Sequence, residues 1–254
     1  MNMLLHRSRT KKVSSIFAAI ILSSSRRIVV PSRGLNIAIL SGSTRNDGPP
    51  RPILTDRVTK YIERSLEGRQ HNVSVTNAKD LPLMVKPHFA YSKSQTPENL
   101  SKMQAIFEKA DAYIVCSPEY NHSPCPGLLN LMNHFGSSVF SFKPSGIVSY
   151  SAGQWGGTRA AHALRPFLSE LGCLPVSAMI HIPHASQVLD ENGKVCGGIE
   201  EEERWHSYVD RMISQVEWWA KAAQNQRREN DPFQSSPTFN QTPSQRNAPS
   251  QDKK

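Results

Sequence analysis

The sequence predicts an α/β fold in three layers, a five-stranded parallel sheet with helices on both faces. Two observations carry this. Short apolar runs and longer segments of helical spacing alternate five times between residues 35 and 223. A strand followed by a helix, repeated, makes a parallel sheet joined by covering helices. The strands are also apolar without strict alternation, as strands buried on both sides are.

Residues 35–40 (LNIAIL) form a short strand that ends in a Ser/Gly turn. Residues 53–66 have helical spacing, with Ile53, Leu54, Val58, Tyr61 and Ile62 as the apolar set. Residues 72–76 (NVSVT) alternate as a strand does. After Pro97, residues 100–109 form a helix that is apolar at Leu100, Met103, Ile106 and Phe107. Residues 112–116 (AYIVC) read as a buried strand. A helix over 127–139 follows, with Pro126 suited to its first turn. Its Leu128, Leu131, Met132 and Phe135 suit a core or a dimer face equally well. The fourth strand is 145–151, the next helix is 158–171 before Gly172, and the fifth strand is 176–182. A long helix over 200–223 carries Trp205, Tyr208, Val209, Met212, Val216 and Trp219 on one face. Its leading acids, Glu200 to Glu203, suit the positive end of the helix dipole.

The charge lies at the ends. Of the formal +9, residues 1–34 carry +7 with no acid and residues 224–254 carry +2, so residues 35–223 are neutral. A neutral core argues against a nucleic-acid partner for the folded part. Residues 1–34, rich in Arg and Ser, have the composition of a mitochondrial transit peptide. A secretory or anchor segment and an untargeted cytoplasmic arm remain as alternatives. The apolar run 16–22 is too short to span a bilayer, which needs about 20 residues. Residues 224–254 hold few large apolar side chains and are expected to be a disordered tail. This leaves 35–223 as one domain. The four cysteines (Cys116, Cys125, Cys173 and Cys196) form no CxxC, so no zinc or dithiol site is predicted.

Ligands of open parallel sheets sit beyond the carboxyl ends of the strands, at the switch point. Three loops lie there. The first, Ser41-Gly42-Ser43-Thr44-Arg45, offers hydroxyls, backbone N–H groups and a guanidinium, which together suit a phosphate. It is neither GxGxxG nor a Walker loop. The second, Ser117-Pro118-Glu119-Tyr120-Asn121, is stiffened by Pro118 and by Pro124 beyond it and can lie along a planar ring. The third, Ser149-Tyr150-Ser151-Ala152-Gly153, continues through Gln154 and Trp155 to Gly156-Gly157, small residues that allow close approach of backbone to a ligand.

In this order and at these strand ends, SGSTR, SPEYN with Pro126-Gly127 and Asn130-x-x-Asn133 after it, and SAGQWGGTRA resemble the NADPH-dependent FMN reductase family. That family includes chromate, quinone and azo reductases. The similarity runs from Asn36 to His184. It implies a flavodoxin-like fold, FMN as cofactor, NADPH or NADH as donor, and a homodimer or homotetramer. By match, Ser41, Ser43 and Arg45 would hold the FMN phosphate. Pro118, Glu119, Tyr120 and Asn121 would line the isoalloxazine ring, and Ser149, Tyr150, Ser151 and Gly153 would close its other side.

Two departures stand out. Pro49, Pro50 and Pro52 remove three N–H donors after Arg45, which leaves Arg51 as a substitute source of charge. His122 stands where relatives have a small residue, either over the nicotinamide site or as an exposed loop histidine. Cys125 falls where a thiol beside the flavin would be exposed.

The resemblance implies that the flavin carries the chemistry and that no side chain is catalytic. Hydride would pass from nicotinamide C4 to flavin N5. A small acceptor (quinone, flavin, azo dye or metal oxyanion) would then enter the same space in a ping-pong sequence. Three rivals stay open: a one-electron carrier, a non-catalytic flavin-binding protein or redox sensor acting through a partner, and a serine hydrolase. The neutral core argues against the first, and the lack of a GxSxG elbow against the last.

Overall fold

The structure, a computed structural model, describes residues 34–49, 51–82, 86–92 and 94–241. The targeting segment expected at 1–34 lies outside the described residues, except for Gly34. The chain opens with β1 (Asn36–Ser41), then α1 (Leu54–Glu67), β2 (Asn72–Asn77), α2 (Glu98–Lys109) and β3 (Ala112–Tyr120). A two-residue β4 (Ser123–Pro124) leads into α3 (Pro126–Asn133) and α4 (Ser137–Phe140). Next come β5 (Pro144–Tyr150), α5 (Thr158–Glu170), β6 (Leu174–Ile182) and α6 (Ala185–Val188). The last are α7 (Ile199–Glu229) and α8 (Pro232–Ser235).

The five long strands are parallel and lie in the order β2-β1-β3-β5-β6, with β4 paired antiparallel to the end of β3. This is the doubly wound order whose switch point lies between β1 and β3. Alternation along each strand divides the core in two. Ile37, Ile39, Ile114 and Cys116 point to the side of α1 and α7, among Val58, Ile62, Met212 and Val216. Ala38, Leu40, Tyr113 and Val115 point to the other side, among Phe107, Leu128, Leu131, Phe140 and Leu164. Both faces are therefore apolar, which is why the strands show no polar stripe. Each fully buried Ile, Leu or Phe here contributes about 1.5–3 kcal/mol.

Several expectations are corrected. The helix expected over 127–139 stops at Asn133 and resumes at Ser137. Gly136, a poor helix former, lies in the gap, and Phe135 turns inward to pack edge-on against Phe107 at 5.1 Å. Leu128, Leu131, Met132 and Phe135 are all buried in the protomer's own core, so none is free to make a dimer face. The last helix does not end at Ala223 but runs to Glu229, and the supposed tail is folded as far as residue 241. Polar anchors replace burial there. Gln224 donates to Asp111 at 3.2 Å and Arg227 donates to the Phe142 carbonyl at 2.9 Å. Phe142 then stacks edge-on against Phe233 at 5.4 Å and Phe239 at 5.3 Å. A count of apolar side chains misses such anchors, and residues 242–254 lie outside the described residues. Finally, Trp219 is 42% exposed, and Ala220 takes the buried position beside it.

Candidate functional site

Strand register brings the three loops together. Ser41 pairs with Cys116, Ser117 with Ser149, and Pro118 with Tyr150. The ends of β1, β3 and β5 therefore lie side by side at the switch point. The Gly42 amide donates to the Cys116 carbonyl at 2.9 Å, which ties the first loop to β3. A Cβ on Gly42 would stand 2.6 Å from that carbonyl and 2.8 Å from Leu128 Cβ, so only glycine fits.

In the first loop Ser41 and Ser43 are buried. Ser41 accepts from Thr59 on α1 at 3.2 Å, and Ser43 Oγ accepts the Arg45 amide at 3.2 Å. Among the described residues, no protein acceptor takes the amides of Ser43, Thr44 or Asn46. Free amides beside hydroxyls are the donor set a phosphate monoester needs. Arg45 folds over its own loop and donates to the carbonyls of Asp47 (3.2 Å) and Pro49 (2.8 Å). Arg51, the proposed substitute charge, is instead paired with the Asp47 carboxylate.

The second loop is a tight hairpin rather than an irregular connection. Glu119 pairs with Pro124 and Tyr120 with Ser123, leaving a two-residue turn at Asn121 and His122. Both turn residues have positive φ, 50° and 63°, as a type I′ turn requires. Asn and His are both among the non-glycine residues that tolerate positive φ, although glycine is usual at the second position. His122 is exposed at the tip. Tyr120 is 37% exposed beside it. Ser117 Oγ accepts the Cys125 amide at 3.0 Å, and Cys125 is 1% exposed. The thiol expected beside the flavin is thus inside the core, behind the hairpin.

Glu119 is committed to the scaffold. Its Oε2 accepts the amides of Arg159 (3.0 Å) and Ala160 (3.3 Å), and Oε1 lies 3.7 Å from the Arg159 guanidinium. A carboxylate on the first amides of a helix is favourably placed against the dipole. Glu119 therefore ties the second loop to α5, which follows the third loop. Trp155, 59% exposed, stacks on the same Arg159 at 5.3 Å.

In the third loop Tyr150 is buried, and its hydroxyl bonds Thr55 on α1. Burial pushes that phenol well above its ordinary range. Its side chain supports the site from below, and only its backbone can face a ligand. Ser149 donates to the Gly156 carbonyl at 2.8 Å, so it accepts from His181 Nδ1–H, also at 2.8 Å. Burial, then the nearby His162, holds His181 below its ordinary range, so it is neutral at pH 7. This Ser–His pair is not a nucleophile: the hydroxyl is fully buried and its proton is already given to a carbonyl. Ser151 Oγ donates to the Gly153 carbonyl at 2.9 Å. Gly153 has nothing within 4 Å of a built Cβ, so it borders open space. Gly157, at φ 79°, would bring a Cβ within 2.9 Å of Ser149 Cβ. The sequence marked Arg159 only as part of the SAGQWGGTRA run and gave Thr55 and Thr59 no signal, since each lies on another element outside any local motif. His181, near the last strand, reads from sequence as structural, and so it is.

Free amides at a phosphate-sized turn, a flat stiff hairpin and an open glycine edge fit FMN. The site is that of a flavin-binding α/β oxidoreductase. Residues 35–187 match the sequence profile of the NADPH-dependent FMN reductase family, and the chain belongs to that family. FMN is its cofactor and NAD(P)H its electron donor.

The chain is 26% identical over 193 residues to a quinone reductase of Pseudomonas putida, covering 73% of this chain and 96% of that one. It is 24% identical over 135 residues to an NADPH azoreductase of a Bacillus species, covering 53% and 69%. Its fold resembles the flavoenzyme NAD(P)H:(acceptor) oxidoreductase FerB of Paracoccus denitrificans. That match has a TM-score of 0.56 and 22% identity, and covers 72% of this chain and 97% of FerB. Among the described residues no helix is long and apolar enough to cross a membrane.

Proposed function

We propose that this chain takes electrons from NAD(P)H and passes them, in a ping-pong sequence at one open face, to a small acceptor: a quinone, a flavin, an azo compound or a metal oxyanion. One observation carries the reading. The polar side chains of the three loops are spent on the scaffold: Glu119 on α5, Ser149 on Gly156, Tyr150 on Thr55. What the first and third loops turn to the open side is mostly backbone N–H and small side chains, which bind and orient a ligand. FMN, when bound, supplies the redox chemistry.

The chain's own part is positional. The amides of Ser43, Thr44 and Asn46 hold the phosphate end. The hairpin at Tyr120 to Ser123 and the edge at Ser151 to Gly153 keep the ring flat and one face open. Tyr120 on the hairpin and Trp155 after the third loop are exposed aromatic rings against which a planar acceptor could stack.

The test is rapid mixing of the FMN-loaded protein with NADPH and with NADH, then with each acceptor. Flavin bleaching without acceptor, re-oxidation by acceptor alone and parallel double-reciprocal plots are expected. Intersecting plots would overturn the ping-pong sequence. A protein that binds FMN but reduces no acceptor is the non-catalytic alternative.

Two further readings belong here. A homodimer or homotetramer is supported by the exposed aromatics Tyr120 and Trp155, and sedimentation checks it. Mitochondrial delivery by residues 1–34 rests on their Arg- and Ser-rich, acid-free composition, and import with cleavage checks it.

A further inference from the structure

The sheet has a second concave end. Opposite the three loops, where β5 and β6 begin, a cavity of about 630 Å³ opens against the last turns of α7. Sites for small molecules span about 300–1,000 Å³. Its walls are apolar and include Phe142, Pro144, Leu174, Trp219, Ala222 and Ala223. Pro232 of α8 closes one side. Leu174 is 46% exposed and Trp219 42%, so large apolar side chains stand open to water at this cavity.

Two cations, Lys143 and Arg227, line the same cavity. Lys143 Nζ donates to the carbonyls of Phe107 (2.7 Å) and Glu108 (3.0 Å) and to the Tyr113 hydroxyl (3.1 Å). The Val139 carbonyl lies at 3.4 Å as well, so the three N–H groups of the ammonium are all taken, and the last-turn carbonyls of α2 offset its charge only in part. Arg227 donates to the Phe142 carbonyl and reaches Asp111 Oδ1 at 3.5 Å. Asp111 also serves the Asn36 amide and Gln224. The Glu108 side chain is solvent-exposed and is screened there. Among the described residues only Arg227 of the two cations reaches a carboxylate, so this end of the cavity carries an excess positive charge.

We propose that this cavity binds an apolar monocarboxylate, with its alkyl or aryl body against Leu174, Trp219 and Ala223 and its head group on Arg227, in the field of the buried Lys143. The charge balance chooses the head group. A buried cation without full compensation is costly, and an incoming carboxylate removes that cost. Both cations respond to this shortage. Burial, then Arg227, pushes Lys143 down to about 8, with Asp111, Cys173 and Glu108 opposing. Burial also lowers Arg227, against Asp111 and Tyr113. The length of the sheet separates this site from the flavin loops, so the proposal is independent of the flavin reading.

The test uses the full chain and calorimetry with dodecanoate, dodecanol and dodecyltrimethylammonium, each below its micelle concentration. Dodecanoate is expected to bind at least tenfold tighter than the other two and to leave bound FMN in place. Ala223→Trp fills the cavity from a half-buried helix position and is expected to weaken dodecanoate at least tenfold. Arg227→Met is expected to shrink the preference for carboxylate over alcohol. Should Arg227→Met fail to fold, the head-group series on the unaltered chain decides the same point. Equal affinity for all three probes, no binding of dodecanoate, or binding indifferent to Ala223→Trp would each overturn the proposal. So would self-association of the unaltered chain that Ala223→Trp abolishes, because a second copy would then be the occupant.

Discussion

At the scale of single residues, the site is a set of polar groups whose partners are now known. Glu119 is the most consequential, because one carboxylate joins two loops through the first turn of α5. Glu119→Ala is expected to cost about 1 kcal/mol of stability, in line with loss of a helix cap, and to weaken FMN binding. Glu119→Gln, which keeps an acceptor and loses the charge, should cost less. Thermal melts and FMN titration check both. Tyr150→Phe makes the opposite demand. It strands the buried Thr55 hydroxyl, so stability should fall by about 1–3 kcal/mol, while FMN affinity should not change. A large loss of FMN affinity would put the phenol in the site after all.

At the scale of elements, turns decide where the loops point. Gly157 has φ 79° and its Cβ position lies 2.9 Å from Ser149 Cβ and from the Tyr150 amide. Gly157→Ala should cost about 1–2 kcal/mol from the left-handed backbone alone, with the steric clash added. It should also displace the 151–156 loop and lower FMN affinity, measured by fluorescence titration. The end of α7 is an element of the same importance. Phe239→Ala removes an edge-on ring pair with Phe142 worth about 0.5–1.5 kcal/mol, and should lower the melting temperature without touching FMN affinity.

At the scale of the whole molecule, burial inside the sheet makes stability fall in alkali. Burial pushes the Cys116 thiol from its ordinary 9.0 up to about 12. The unfolded chain releases this proton near pH 9, whereas the folded chain keeps it. The stability this group contributes is whole below pH 9 and is lost as the pH climbs towards 12, at about 1.4 kcal/mol per pH unit. Cys173 is pushed up to about 12 as well and acts in the same sense. Lys143, held near 8, acts in the opposite sense between about 8 and its ordinary 10.5. Cys116→Ala is therefore expected to flatten the alkaline fall by the slope of one proton. Urea unfolding across that range measures it, and an unchanged slope would mean the thiol is not desolvated.

The sequence by itself determined the layer order, the five parallel strands and the three loops at one end. Those follow from local periodicity, which strand pairing and helix packing impose residue by residue. It also placed SPEYN at the carboxyl end of β3, where the structure has it. Only the tertiary structure decided what each polar group in those loops does. Glu119 was legible as a site residue, but its tie to Arg159 and Ala160 spans about forty residues and leaves no spacing to read. The hairpin at Asn121 and His122 was hidden because it lacks the Asn-Gly pair that marks a two-residue turn in sequence. Cys125 sits in a loop by sequence and in the core by packing. The folded end of the chain was missed because a few long-range anchors hold it, Gln224 on Asp111, Arg227 on the Phe142 carbonyl and two rings on Phe142, and a count of apolar residues does not reveal them. The phosphate loop divides along the same line: Ser41, Ser43 and Arg45 were readable from residue type. That Arg45 closes over its own loop, and that Arg51 is taken by Asp47, depends on contacts that exist only once the chain has folded.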